Sequence, residues 1–163
     1  MNLTYKNSLW MILALALTAI GTALYYEYAL NYQPCALCYE ERIPYYILIA
    51  VSVLALVADR FMDGKIIGKM LIGALGILMF LGSLYGVYHA GIEWDFWAGP
   101  STCTGAALSF DGSTDLLSLV TSIKIVPCDV ANWRLFGISF AGYNALTAML
   151  MAVICGLALN KNR

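Results

Sequence analysis

The stretch LWMILALALTAIGTALYYEYAL, Leu9 to Leu30, decides the fold. As a helix its 22 residues extend about 33 Å, enough to cross the hydrocarbon core of a bilayer. A secretory signal is the competing reading, because Ala14-Leu15-Ala16 resembles a cleavage site. The apolar run continues well past that point and is too long for the core of a signal peptide. Composition agrees with a membrane span: 61% of the 163 residues are hydrophobic and 12% charged, against about 25% charged in soluble domains. A single integral membrane domain over residues 1–163 is expected. A net charge of −1 leaves no broad basic surface, so nucleic acid is excluded as a partner.

Three further apolar runs follow. Ile43 to Ala58 is short, and starting its helix near Cys35 brings it to spanning length. Ile66 to Ala90 carries the small-xxx-small pair Gly82 and Gly86, which lets a neighbouring helix approach closely. Leu135 to Leu159 is the fourth. The expected fold is an all-α membrane four-helix bundle with helices over about 9–30, 35–58, 66–90 and 135–159. Outer loops occupy about 31–35 and 91–134, and no internal repeat is evident. Pro44 lies inside the second helix, where it removes a backbone donor, so a broken turn is expected around Tyr39 to Ile43. In the long loop, STDLLSLVTSIKIV places Leu116, Leu117, Val120 and Ile123 on one helical face. A short amphipathic helix is expected there, lying on the membrane lipid or covering the bundle.

Orientation follows from lysine and arginine. Lys6, Arg60, Lys65, Lys69, Lys161 and Arg163 fall at the termini and in the loop between helices two and three, against Arg42, Lys124 and Arg134 opposite. Both termini are therefore expected in the cytoplasm. Cys35, Cys38, Cys103 and Cys128 then face the outer compartment, where disulfides persist.

The segment QPCALCYEER, Gln33 to Arg42, opens the second helix with a Cys-x-x-Cys. A helix start after Pro34 and a cation at Arg42 are the two devices that favour a reactive thiolate. Glu40 and Glu41 oppose that cation, and one of them could neutralise it. Zinc held by the four outer cysteines is the rival reading, but Cys103 and Cys128 lack the spacing of a zinc knuckle. No metal is expected. Two structural disulfides are a second rival, although a bridge across two residues constrains the unfolded chain little. Two outward pairs, one at the membrane edge, favour electron relay. Cys155 reads as a small buried hydrophobe. His89, at the expected end of helix three, reads first as a satisfied interface residue. Trp94, Phe96, Trp97 and Trp133 mark interface depth, and a planar ligand could stack among them.

QPCALCYEER, YHAGIEWDFWAGPSTCTG and PCDVANWRLFGIS together resemble the bacterial disulfide bond formation protein B (DsbB) family, in its shorter alphaproteobacterial-type branch. The resemblance covers nearly the whole chain. It implies a thiol:quinone oxidoreductase of the inner membrane, with its cysteine loops periplasmic. A DsbA-like thioredoxin-fold thiol oxidase is the implied partner, and ubiquinone or menaquinone the implied cofactor. By motif position Cys103 forms the mixed disulfide with the partner, and Cys128 exchanges with Cys35. Cys38 then donates to the quinone, with Arg42 and His89 beside it. A non-catalytic bundle with stapled loops is the alternative. A vitamin K epoxide reductase-like enzyme is another, but there the Cys-x-x-Cys follows the loop cysteines, whereas here it precedes them.

Overall fold

The computed structural model describes residues 5–58, 65–103 and 126–161. Among them are four helices long and apolar enough to cross a membrane: α1 (Tyr5–Tyr28), α2 (Ala36–Ala58), α3 (Lys65–Glu93) and α4 (Phe140–Lys161). Helices are the form such sequences must take in lipid, because every backbone N–H and C=O finds its partner within the segment. Large side chains such as Leu54, Met70 and Ile77 point outward and are mostly exposed. Lipid, not water, is the environment such a surface requires. The amphipathic helix expected around Leu116 lies outside the described residues.

Each helix end that faces the cysteines has an identifiable stop or start. Asn31, in the left-handed region at φ 57°, follows α1 and turns the chain toward α2. Cys35 caps α2: its Sγ accepts the backbone N–H of Cys38 at 3.2 Å, the bond an N-cap side chain makes three residues on. α3 closes with the Phe96 N–H on the Gly91 carbonyl and the Asp95 N–H on that of Ile92. With Asp95 left-handed at φ 58°, this is a Schellman closure. It extends α3 to Glu93, so His89 sits a full turn inside the helix.

The chain departs from expectation at the start of helix four. Residues 134–139 form a hairpin, β1 (Arg134–Leu135) against β2 (Ile138–Ser139), with Arg134 opposite Ser139. Phe136 and Gly137 both have positive φ, the signature of the two-residue turn that matches strand twist. α4 starts only at Phe140, where the Ser139 hydroxyl accepts the Gly142 N–H. The expected break at Pro44 is also absent, and α2 is continuous through it. The ring finds room on α3, where a Cβ added to Gly82 would lie 3.6 Å from Pro44.

Small residues set the spacing of α3 and α4, the most extensive helix pair. A Cβ on Gly86 would come 3.0 Å from the Ala145 backbone, and one on Gly76 would meet the Cys155 Cβ at 2.9 Å. Ser83 Oγ donates to the Ala145 carbonyl across this contact. Gly82 and Gly86 thus face different neighbours, α2 and α4, rather than one. Below them Leu9, Ile12, Leu48, Ile72, Met79 and Met151 fill the core, with Cys155 fully buried among them. Gly86→Val should cost about 1–3 kcal/mol through overpacking against a backbone that cannot retreat. Thermal unfolding in detergent should show a lowered Tm for it, and no loss for Gly156→Ala, whose added methyl meets nothing within 4 Å.

Candidate active site

The first turn of α2, the C-terminal end of α3 and the chain on either side of the β-hairpin meet around the cysteines. Cys35 is buried and Cys38 half-buried, both are thiols, and their sulfurs lie 2.7 Å apart. The hydrogen bond from Cys38 holds the Cys35 thiol below the ordinary range, against burial, which pushes it up. The second pair, Cys103 and Cys128, is joined as a disulfide with Cα atoms 5.2 Å apart. This rules out a zinc site of four cysteine thiolates in the state described. The disulfide packs in one buried cluster with Cys35, Leu37 and Ile92, and Cys38 and Tyr85 lie against it. Asn132 donates to the Gln33 carbonyl at 3.1 Å, and Arg134 to that of Glu93 at 3.0 Å. These two bonds tie the chain after Cys128 to the ends of α2 and α3.

His89 belongs to the cysteines. It is buried, with Nε2 3.6 Å from Cys35 Sγ and Nδ1 2.8 Å from Glu41 Oε1. Glu41 itself is buried, and the His89 ring is its hydrogen-bond partner. Tyr45 donates to Asn144 Oδ1 at 2.5 Å one turn further into the bundle.

Arg42 is neutralised, though by neither Glu40 nor Glu41. Its Nη1 lies 2.5 Å from Glu27 Oε2 on α1, with both side chains largely shielded. Tyr39 donates to the other oxygen of Glu27, and its ring sits 5.1 Å from the Arg42 guanidinium carbon. Glu40 accepts a hydrogen bond from Tyr85. Arg42 and Glu41 are neighbours in sequence, so their side chains leave α2 about 100° apart. One reaches α1 and the other α3.

These groups surround a cavity of about 490 Å³. Cys35, Cys38, Cys128, Arg42 and His89 line it, while Cys103 lies behind, buried. Glu27, Glu41 and Glu93 complete its polar wall. Trp133 and Phe140, stacked at 4.7 Å, form an aromatic wall with Tyr26. Trp94, Phe96 and Trp97 are elsewhere, packed together at the C-terminal end of α3, with Trp97 stacked on Tyr88. The partners that sequence reasoning missed are Glu27 for Arg42 and Glu41 for His89. Glu27 did carry a signal, since an acid inside an apolar span calls for a partner.

A sequence model of the family Disulfide bond formation protein DsbB matches residues 5–158. An uncharacterized protein of Rickettsia prowazekii (strain Madrid E) is 26% identical over 157 residues, 95% of this chain and 88% of its own length. The disulfide bond formation protein B of Chromobacterium violaceum is 36% identical over 86 residues, 53% of this chain and 48% of its own. That of Haemophilus influenzae is 38% identical over 56 residues, 34% of this chain and 32% of its own. The chain thus spans about half and a third of those two relatives. No solved structure matches significantly. With four spanning helices and a family match from residue 5 to residue 158, the chain belongs to the DsbB family, membrane oxidoreductases of disulfide bond formation.

Proposed function

We propose that the chain reoxidises a DsbA-like thiol oxidase and delivers the electrons to a membrane quinone. The observation that carries this reading is one cavity touching Cys128, the Cys35/Cys38 pair and Arg42 together. Its volume is within the roughly 300–1,000 Å³ of small-molecule sites. An aromatic wall beside one guanidinium suits a planar ring with polar oxygens. Bound there, a quinone supplies a two-electron, two-proton acceptor.

The chain's own steps are thiol–disulfide exchanges, each an attack by a thiolate that releases another. A thiolate of the reduced partner attacks Cys103 Sγ, breaking the bond to Cys128. Cys128 attacks Cys35 of an oxidised Cys35–Cys38 pair, and Cys38 leaves as thiolate. The partner's second thiolate then takes its disulfide and frees Cys103. Cys103 attacks Cys128, restoring the loop disulfide and leaving Cys35 and Cys38 both reduced. The net change is partner dithiol plus quinone to partner disulfide plus quinol. One closed disulfide and two neighbouring thiols match the point at which the loop pair is restored and two electrons wait on Cys35 and Cys38. Arg42, on the wall of the same cavity as the half-buried Cys38, offers a guanidinium N–H to an adjacent quinone oxygen. His89 and Glu41 hold the other sulfur in place.

In this reading the cysteine end faces the periplasm and both termini the cytoplasm, with the chain in the inner membrane. The asymmetry of lysine and arginine supports this.

Purified protein should oxidise a reduced DsbA-like partner only when ubiquinone or menaquinone is supplied; equal rates without quinone would remove the acceptor from the reading. Cys38→Ser should abolish turnover, whereas Cys103→Ser should abolish the trapped mixed disulfide on a non-reducing gel. Arg42→His should raise the quinone KM about ten- to a hundredfold, the loss of a charged hydrogen bond worth about 1.5–3 kcal/mol. An unchanged KM would reassign Arg42 to folding alone.

A further inference from the structure

The reduced Cys35/Cys38 pair carries a second chemistry. Cys35 Sγ, Cys38 Sγ and a His89 ring nitrogen all lie within 4.8 Å of one another. Two sulfurs and one imidazole are the donor set of a catalytic-type zinc centre with one open position. We infer that Cys35, Cys38 and His89 form a site for a thiophilic closed-shell divalent cation, of the Zn²⁺ class, open only when the pair is reduced.

Three observations beyond the donor set support it. The first is the carboxylate behind the imidazole. With Glu41 at 2.8 Å from Nδ1, the ring proton belongs on Nδ1 and the Nε2 lone pair points at the sulfurs. Carboxylate–histidine–metal arrangements use this orientation. The second is the local charge: among the described residues lining the cavity, Glu27, Glu41 and Glu93 outnumber Arg42, which Glu27 already neutralises. The third is an orphan. Glu93 Oε2 is buried without a hydrogen-bond partner and belongs to the wall of the same cavity. It leaves the cavity wall a carboxylate oxygen that no protein group satisfies, outside the three-donor cluster itself.

The distances require one adjustment. Zinc bonds of about 2.3 Å to sulfur and 2.0–2.1 Å to nitrogen set tetrahedral ligand atoms roughly 3.5–3.8 Å apart. The 3.6 Å from Cys35 Sγ to His89 Nε2 fits already. The two sulfurs, at 2.7 Å, must part by about 1 Å. Cys38 is half-buried on the cavity wall and has room to turn. Binding replaces two S–H bonds by two sulfur–metal bonds and releases two protons, with no change of oxidation state. A disulfide has no thiolate to offer, so closing Cys35–Cys38 closes the site.

The test uses the full chain, reduced and desalted in detergent without quinone or partner, so its outcome is independent of turnover. Cd²⁺ is added and the thiolate-to-metal charge-transfer absorption followed. One equivalent should bind, and diamide-oxidised protein should bind none. Cys38→Ser should lose the band, Glu41→Gln should weaken binding about ten- to a hundredfold, and Cys155→Ser should match the parent. X-ray absorption of the Zn²⁺-loaded parent reads the ligands without a variant that must fold: two sulfurs and at least one imidazole nitrogen are expected. Absence of a one-to-one band in reduced protein, equal binding after oxidation, or a zinc shell without imidazole would each overturn the site.

Discussion

An ionised side chain at the apolar end of a helix bundle loses its hydration, and only a partner at hydrogen-bond distance offsets that loss. The architecture around the cysteines follows from this constraint. Arg42 takes Glu27 from α1, and Glu41 takes His89 from α3. Because the two α2 residues are adjacent, their partners hold α2 between two neighbours. Among the described residues at the middle of the spans there is no charged side chain to do this. There the spacing comes from glycine and alanine at the contact of α3 and α4. One bundle is thus joined by two kinds of force at two depths, electrostatic near the cysteines and steric below.

Placing the Cys35/Cys38 pair at the start of a helix ties its two sulfurs to backbone structure. The sulfur of Cys35 satisfies an N–H that the helix leaves unpaired, so the group that begins α2 is also one of the two thiols of the proposed relay. Every change in its covalent state is felt by the first turn of α2, which carries Cys38 and leads directly to Glu41 and Arg42. The loop disulfide reaches the same turn, packed against Cys35 and Leu37. Helix capping, charge pairing and thiol chemistry therefore occupy a single turn of chain.

The spans were legible because length and hydrophobicity are properties of a contiguous stretch, and the bilayer imposes one length on all of them. Leu9 to Leu30 needed no tertiary information. The start of α4 was not legible at residue 135, because apolar Leu135, Phe136 and Ile138 read as helix while the positive φ of Phe136 and Gly137 turns them into a hairpin. Pro44 was expected to break a turn, yet the glycine opposite it lies on another helix and accommodates the ring. At the site, the cysteines and Arg42 were visible as a local motif. His89 took its meaning only when α3 set it beside Cys35, 54 residues away in sequence. The family resemblance had assigned it to the site, whereas its own neighbours in sequence pointed to an interface. The partners Glu27 and Glu41 depend on which helices adjoin, and a single sequence does not encode that in any local pattern.

The ion pair of Glu27 and Arg42 has a consequence for how the first span can be treated. A leading apolar helix is often regarded as an interchangeable anchor, to be swapped for a fusion tag's own span. Here such a swap would keep the topology and the length yet deliver a different protein. It would expose a bare guanidinium where a neutral pair had been and remove a carboxylate from the cavity wall. α1 thus contributes a side chain to the cavity wall and not only a span, and any graft onto this scaffold has to carry an acid at that depth.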